Sequence, residues 1–528
     1  MAVVSDRLAK TSPQVNATNR TSPVLILAGV VALTFVGLPI FYLLRLISNS
    51  EAQSLRLVIF RAKTAEIIFT TISLAAIVSL LATALGLALG WSLQNVVIPR
   101  AGLFRALVMI PIAIPSYIYA YCWLALDVLP RGYFAAVVVL TLTTTPYIVL
   151  ASIAAFSRID LAQLEVAETL GHNPIRLFTQ IIFPQIRNTI LAGSLLIALY
   201  VFSDFGAVSL LGVDTLTRAI QNTYQGSYDR SSAAVLALIL LALSALVIIR
   251  ENLWRIESYQ AQASATITKS IKRYSKGKVK IGASALILTY ILIALFIPLS
   301  ILVQRFLSRE NALDFASLIS ATSSTIVVSA AGAILALVVA IPLALLTLTG
   351  SRVGRVAEWG ILIVHALPGI IMGLALVSFG AQFSFIYQTI GLLALAYAIL
   401  FLARSVGFIT ASISRVPKNL EEISATLGKN RRQTLFTVTL PLALPGILSG
   451  ALLVFLSAMK ELPATLMLRP TGFETLATEI WSSANIFRFS EAAPYALLLV
   501  ISSAIPAFLI SRPDKSNSGI ASEQREAR

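Results

Sequence analysis

LEVAETLGHNPIRLFTQIIFP, from Leu164 to Pro184, aligns without a gap with EEISATLGKNRRQTLFTVTLP, from Glu421 to Pro441. Glu165, Thr169, Leu170, Gly171, Asn173 and Pro184 recur 257 residues later as Glu422, Thr426, Leu427, Gly428, Asn430 and Pro441. So many identities at one spacing mark a duplicated unit. The likeness extends outward from both copies. TTISLAAIVSLLATALGLALG from Thr70 parallels SSTIVVSAAGAILALVVAIPLA from Ser323, and Pro115 in MIPIAIPS parallels Pro368 in IVHALPG. Downstream, Asp204 falls at the register of Glu461, and Asp214 in VDTL parallels Glu474 in FETL.

A chain of 528 residues that is 57% hydrophobic and 12% charged, with mean hydropathy +0.86, has too much apolar surface for a water-soluble core. Its apolar runs are continuous and about 20 residues or longer, the length that crosses roughly 30 Å of hydrocarbon as helix. A membrane strand would instead alternate over about ten residues. The expected spans are 24–46, 67–94, 104–126, 133–156, 190–211, 232–249, 281–304, 320–347, 358–380, 386–410, 443–467 and 493–511.

The expected fold is therefore an all-α polytopic membrane protein of about twelve transmembrane helices, in two parallel homologous six-helix halves. Six spans return the chain to its starting side, so the halves can surround a central pathway about a pseudo-twofold axis along the membrane normal. The expected divisions are an N-terminal arm, 1–23; a first membrane domain, 24–250; a basic linker, 251–280; a second membrane domain, 281–511; and a C-terminal tail, 512–528. The arm carries Arg7, Lys10 and Arg20, and no small-residue cleavage site clearly follows the first span, which reads as a retained helix.

With both termini cytoplasmic, 28 of the 40 Lys and Arg fall on the cytoplasmic side, as the positive-inside rule favours. The carboxylates divide 12 and 12, so the formal charge of +16 lies on the inner face and requires no nucleic-acid partner. The densest patch, Lys269, Lys272, Arg273, Lys276, Lys278 and Lys280, reads as an anchor to anionic lipid. The single cysteine, Cys122, allows no intramolecular disulfide and reads as a small core residue.

Each repeated loop reads as a pair of short helices between the fourth and fifth spans of its half, on the cytoplasmic side. Asp160 with Gln163 can cap the first helix, and Pro417 can begin its counterpart. Gly171 and Gly428 supply a left-handed turn, Asn173 and Asn430 cap the next helix, and Pro184 and Pro441 mark the start of the following span. Such an elbow is suited to receive a push from a partner outside the membrane; the plainer reading is an ordinary helical connection.

These loops resemble the EAA loop of permeases in binding-protein-dependent ABC importers. Glu165, Ala167 and Gly171 carry the match in the first half, and Glu422, Ser424 and Gly428 in the second. Val166 and Ile423 depart from the small residue expected after Glu. The resemblance implies an ABC type I importer fold, in which each loop is a coupling helix docking in a cleft of an ATP-hydrolysing subunit. No GxxxxGK[ST] phosphate loop occurs in the chain, so a separate ATPase is expected. The expected partners are two ABC ATPase subunits, which hold ATP and Mg, an external or periplasmic iron-binding protein, and membrane lipid. No cofactor on this chain, no catalytic residue and no enzyme activity of its own are expected.

The phrases SDFGAVSLLGVDTLTRAI and KELPATLMLRPTGFETLATEI closely resemble the ferric-iron (Fe3+) permeases of that superfamily, whose fused form matches nearly the full length. The resemblance implies iron transport across a bacterial inner membrane; fused permeases for thiamine and for phosphonates share the architecture. Asp204 and Glu461 are the pathway candidates, because carboxylates inside a membrane are costly and a hard cation favours oxygen donors. At equivalent places in the repeat they would face one another across the axis. Alternatively, Glu461 pairs with Lys460 or another helix, or both acids lie near the outer interface.

Tyr117, Tyr119 and Tyr121 offer further oxygens, although their alternating positions favour packing or interfacial anchoring. His172 and His365, the two histidines, sit in different contexts and form no histidine-based metal cluster. Among other classes, an ion-coupled secondary transporter would need no ATPase, and a membrane-embedded enzyme finds no recognisable nucleophile arrangement.

Overall fold

The structure is a computed structural model that describes residues 23–48, 52–128, 130–159, 161–226, 230–263, 277–310 and 312–511. Twelve apolar helical segments are assigned among these residues: α1 (Pro23–Ser48), α2 (Ala62–Asn95), α3 (Ala101–Ala113 and Ser116–Leu126), α4 (Tyr133–Phe156), α5 (Leu177–Ser203), α6 (Arg230–Trp254), α7 (Gly277–Leu307), α8 (Phe315–Thr347), α9 (Arg352–His365 and Gly369–Gly380), α10 (Ile390–Leu400 and Leu402–Ser414), α11 (Arg432–Met459) and α12 (Phe489–Ser511). The fold is all-α and polytopic, and no strand is present among the described residues.

Three spans are broken. α3 bends by 92°, α9 by 104° and α10 by 55°. Pro115 and Pro368 stand at the breaks of α3 and α9 with extended backbone and begin the second segments as N-caps. Proline tolerates this position because the first amides of a helix have no intrahelical acceptor.

The expected spans 190–211 and 443–467 ran too far downstream. α5 ends at Ser203 and α11 at Met459, and separate short helices follow at Gly206–Leu210 and Pro463–Leu468. Pro184 and Pro441 do not open these spans either. Each lies within a continuous helical run, just after a π-turn at Leu177–Ile182 or Leu435–Thr439. The wider turn shifts the hydrogen-bond register and lets the ring pass without ending the helix. The second short helix of each elbow is thus the beginning of the span itself.

The two halves repeat one another down to single hydrogen bonds. Thr71 Oγ1 on α2 accepts the Leu216 amide at 2.9 Å, and Thr325 Oγ1 on α8 accepts the Leu476 amide at 2.9 Å. Within the first half, α2 and α4 cross where Gly86 and Gly90 face Ile148 and Ser152. A Cβ at Gly90 would come within 2.5 Å of the Ser152 side chain. Small residues four apart allow this close crossing, as association in lipid depends on packing. Gly90→Val will force the pair apart at a cost of about 1–3 kcal/mol. The check is a lower thermal-unfolding midpoint in detergent, with Gly37→Val as control, since no neighbour stands within 4 Å of Gly37.

The first span of each half packs largely on the other half. α1 lies against α8 and α9 as well as α6, while α7 lies against α2, α3 and α12. Arg45 donates to Gln382 at 2.7 Å, and Tyr290 donates to the Leu142 carbonyl at 3.0 Å. Cys122, fully buried, faces the Pro298 carbonyl at 3.5 Å across the same seam, in line with its reading as a core residue. Lys278 and Lys280 begin α7, whereas Lys269, Lys272, Arg273 and Lys276 lie outside the described residues, as do the arm and the tail.

Candidate functional site

In each elbow a nine-residue helix, Leu161–Thr169 or Lys418–Thr426, ends in a left-handed glycine: Gly171 at φ +78° and Gly428 at φ +80°. The turn is closed by a pair of backbone bonds. His172 donates to Ala167 and Gly171 to Glu168; Lys429 donates to Ser424 and Gly428 to Ala425, all at 3.0–3.2 Å. This six-to-one and five-to-two pairing satisfies the last carbonyls and fixes the angle of the elbow. Asn173 Oδ1 then accepts from the Arg176 amide at 2.8 Å, and Asn430 Oδ1 from the Gln433 amide at 2.9 Å, so both asparagines are N-caps as expected. Pro417 is the N-cap before Lys418; Asp160 lies outside the described residues.

Glu165 and Glu422 are exposed, whereas Ala167 and Ser424 are buried beneath their helices. The small residues serve packing, and Ser424 shares a hydrogen bond of 2.9 Å with Thr434. The outward faces carry Val166 and Ile423, the two departures from the small residue expected after Glu, together with the repeated leucines. Val166 and Leu170 in the first copy, and Ile423 and Leu427 in the second, are exposed one helical turn apart. Their signal was present in the alignment: both copies put an aliphatic side chain at the same two positions of an otherwise polar loop.

Each elbow leads directly into a long helix. From Leu177 to Ser203, 27 residues, or about 40 Å of helix, separate the first elbow from Asp204, and Arg432–Met459 joins the second to Glu461. At their far ends lies a cavity of about 320 Å³ lined by both halves, among them Asp204, Glu461, Tyr117, Arg404 and Lys460. The breaks at Pro115, Pro368 and Phe401 also open onto it. Non-helical backbone at such a place is tolerated where it lines a cavity inside the protein.

Both carboxylates are buried and bound locally. Asp204 Oδ1 accepts from the Ala207 and Val208 amides at 3.1 and 3.3 Å, and its Oδ2 accepts from the Ser116 hydroxyl. Glu461 Oε1 accepts from the Ala464 amide at 3.0 Å, and its Oε2 from the Thr465 amide and hydroxyl at 3.0 and 2.8 Å. Each acid thus caps the short helix that follows it. Each also lies at the start of the second segment of a broken span, Asp204 against Ser116 and Glu461 against Gly369, where helix dipoles favour negative charge. Glu461 makes no ion pair with Lys460, whose ammonium instead faces the Ala113 carbonyl at 3.4 Å.

The three tyrosines part company. Tyr119 and Tyr121 donate to the Ala294 and Phe489 carbonyls of the second half and are packing residues, whereas Tyr117 lines the cavity. His365 lines it too, while His172 belongs to the first elbow. Among the described residues, no three His, Cys, Asp or Glu side chains converge as a metal site.

A twofold-repeated bundle with broken helices around a shared cavity, and a rigid elbow at the far end of each long helix, defines a polytopic membrane permease of the ABC type I importer class. The chain belongs to the family of binding-protein-dependent transport system inner membrane components, which matches residues 82–250 and again 332–512. It is similar to the Fe(3+)-transport system permease protein FbpB 2 of Haemophilus influenzae, with 30% identity over 90% of this chain and 96% of that protein. A Haloferax volcanii permease protein named for molybdenum is 28% identical over 44% of this chain and 88% of its own length. PhnV of Salmonella typhimurium, named for 2-aminoethylphosphonate transport, is 29% identical over 26% of this chain and 51% of its own. The chain is thus a multi-pass inner-membrane importer permease, of a family that works with an ATPase and a binding protein.

Proposed function

We propose that this chain is the fused permease of a ferric-iron importer, using ATP hydrolysed elsewhere. The observation that carries the reading is end-to-end similarity to the Haemophilus Fe(3+)-transport permease through both halves and their junction, whereas the phosphonate-named relative matches about a quarter of the chain. The termini and both elbows are cytoplasmic, in keeping with the distribution of Lys and Arg. The membrane domains are 24–250 and 281–511.

A periplasmic iron-binding protein delivers cargo to the outer face, and two ABC ATPase subunits, holding ATP and Mg, close beneath the elbows. Glu165 and Glu422 stand at the docking surface; Gly171 and Gly428 keep each elbow rigid. The long helices α5 and α11 carry the movement to Asp204 and Glu461, so that the cavity opens alternately to either side. The acids shape the pathway by holding its helix breaks.

Cells lacking this chain will lose most uptake of labelled ferric iron while retaining thiamine and 2-aminoethylphosphonate uptake in parallel assays. Loss of either other substrate with iron uptake intact would reassign the cargo and leave the importer class standing.

A further inference from the structure

The cavity is furnished unequally by the two halves. At the 257-residue register, Tyr147 in α4 corresponds to Arg404 in α10, and Ser203 at the end of α5 corresponds to Lys460. All four line the cavity, so the second half brings two cations where the first brings two hydroxyls. The acids make no ion pair with them: the oxygens of Asp204 and Glu461 are held by helix amides and hydroxyls. Arg404 donates to Ser457 at 3.0 Å and lies 5.4 Å from the Phe401 ring, while Lys460 faces a backbone carbonyl. Neither cation meets a carboxylate among the described residues. Tyr117 adds a hydroxyl that is buried and has no hydrogen-bond partner, an arrangement that costs free energy unless something arrives to accept it.

We propose that Arg404, Lys460 and Tyr117 form an oxyanion subsite, and that the ferric ion crosses together with an oxyanion of the phosphate or carboxylate class. The proposal rests on the ferric-iron reading and deepens it. A bare trivalent cation would meet Arg404 and Lys460 as like charges, in a cavity whose two carboxylates balance them in number but have their oxygens committed to helix caps. A hard cation also needs several oxygen ligands, and the described residues gather no cluster to supply them. An oxyanion resolves both difficulties. It brings oxygens to the metal, accepts charge-assisted bonds from the guanidinium and ammonium, and takes the orphaned tyrosine proton as a hydrogen bond.

The test uses the complete transporter, with its ATPase and binding protein, in phosphatidylcholine vesicles, which carry no net-anionic headgroup to occupy the subsite. The cargo is 55Fe(III) with either 32P-phosphate or 14C-citrate. The expected result is ATP-dependent entry of iron and anion label in a fixed ratio. Arg404→Gln with Lys460→Gln should lower both by about tenfold or more, and Arg404→Lys with Lys460→Arg should restore them to within about threefold. Tyr117→Phe, which removes one oxygen, provides a milder variant should the double change disturb assembly, and should lower iron entry by about threefold to tenfold. Iron entering without either anion, or entering the Gln and Phe variants as fast as wild type, would overturn the proposal. Anion entering without iron would uphold the oxyanion subsite and sink the ferric-iron reading; entry of neither would overturn both.

Discussion

Replacing Leu170 and Leu427 together with aspartate will lower ATP-dependent uptake by about a hundredfold, because two exposed apolar anchors worth about 1.4 kcal/mol each are lost from the proposed docking faces. The side chains are 72% and 75% exposed, so the change removes little from the fold of the permease itself. Each stands at the end of its elbow helix, one turn from Val166 or Ile423 and just before the left-handed glycine that fixes the elbow. A charged side chain there would have to be desolvated on docking. The measurement pairs uptake with copurification of the ATPase: both should fall, while the amount of permease in the membrane is unchanged. Glu422→Lys should act differently, uncoupling hydrolysis from uptake with the complex still assembled. Unchanged uptake in the double aspartate variant would mean that the elbows are not where the partner pushes.

Glu461→Ala should destabilise the protein by about 2–5 kcal/mol, because it strips the acceptor from the buried Ala464 and Thr465 amides at about 1–3 kcal/mol each. Asp204→Ala should cost a similar amount at the Ala207 and Val208 amides. Glu461→Gln keeps one carbonyl oxygen, which can serve only one of the two amides while its NH2 faces the other, so about half of the lost stability should return. Thermal unfolding in detergent, read beside iron uptake, separates the two roles of this carboxylate. If the alanine variant unfolds at the wild-type temperature yet transports nothing, the charge serves the cargo and the capping account fails.

The repeat made the symmetry of the fold legible before any coordinates. It located the left-handed glycines, the asparagine caps, and Pro115 and Pro368 as equivalent positions. It did not disclose that the chain turns by 92° and 104° at those prolines. Hydropathy registers how apolar a run is, and a break whose polar groups are satisfied inside the protein leaves little trace in it. The same blindness carried the fifth and eleventh spans past Asp204 and Glu461, into the short helices that these acids cap. Arg404 escaped, and Lys460 was read only as a partner for Glu461, for a different reason. Searching for identity between halves discards the positions where they differ, and Arg404 and Lys460 are informative because Tyr147 and Ser203 do not match them. Val166 and Ile423 were likewise measured against an expected small residue, when their joint aliphatic character described an outward face.

The exchange of α1 and α7 between halves bears on how the protein is made. α1 finds much of its packing on α8 and α9, and 267 residues separate Ser48 from Phe315. At roughly 5–20 residues per second, synthesis of that interval occupies about 13–53 s. During this time the first helix must remain in lipid, or in the grip of the insertion machinery, with part of its final surface unclaimed. A ribosome that stops near the junction therefore releases a chain with one helix lacking its seat and another seat lacking its helix. Such a fragment is a substrate for quality control rather than half of a working transporter.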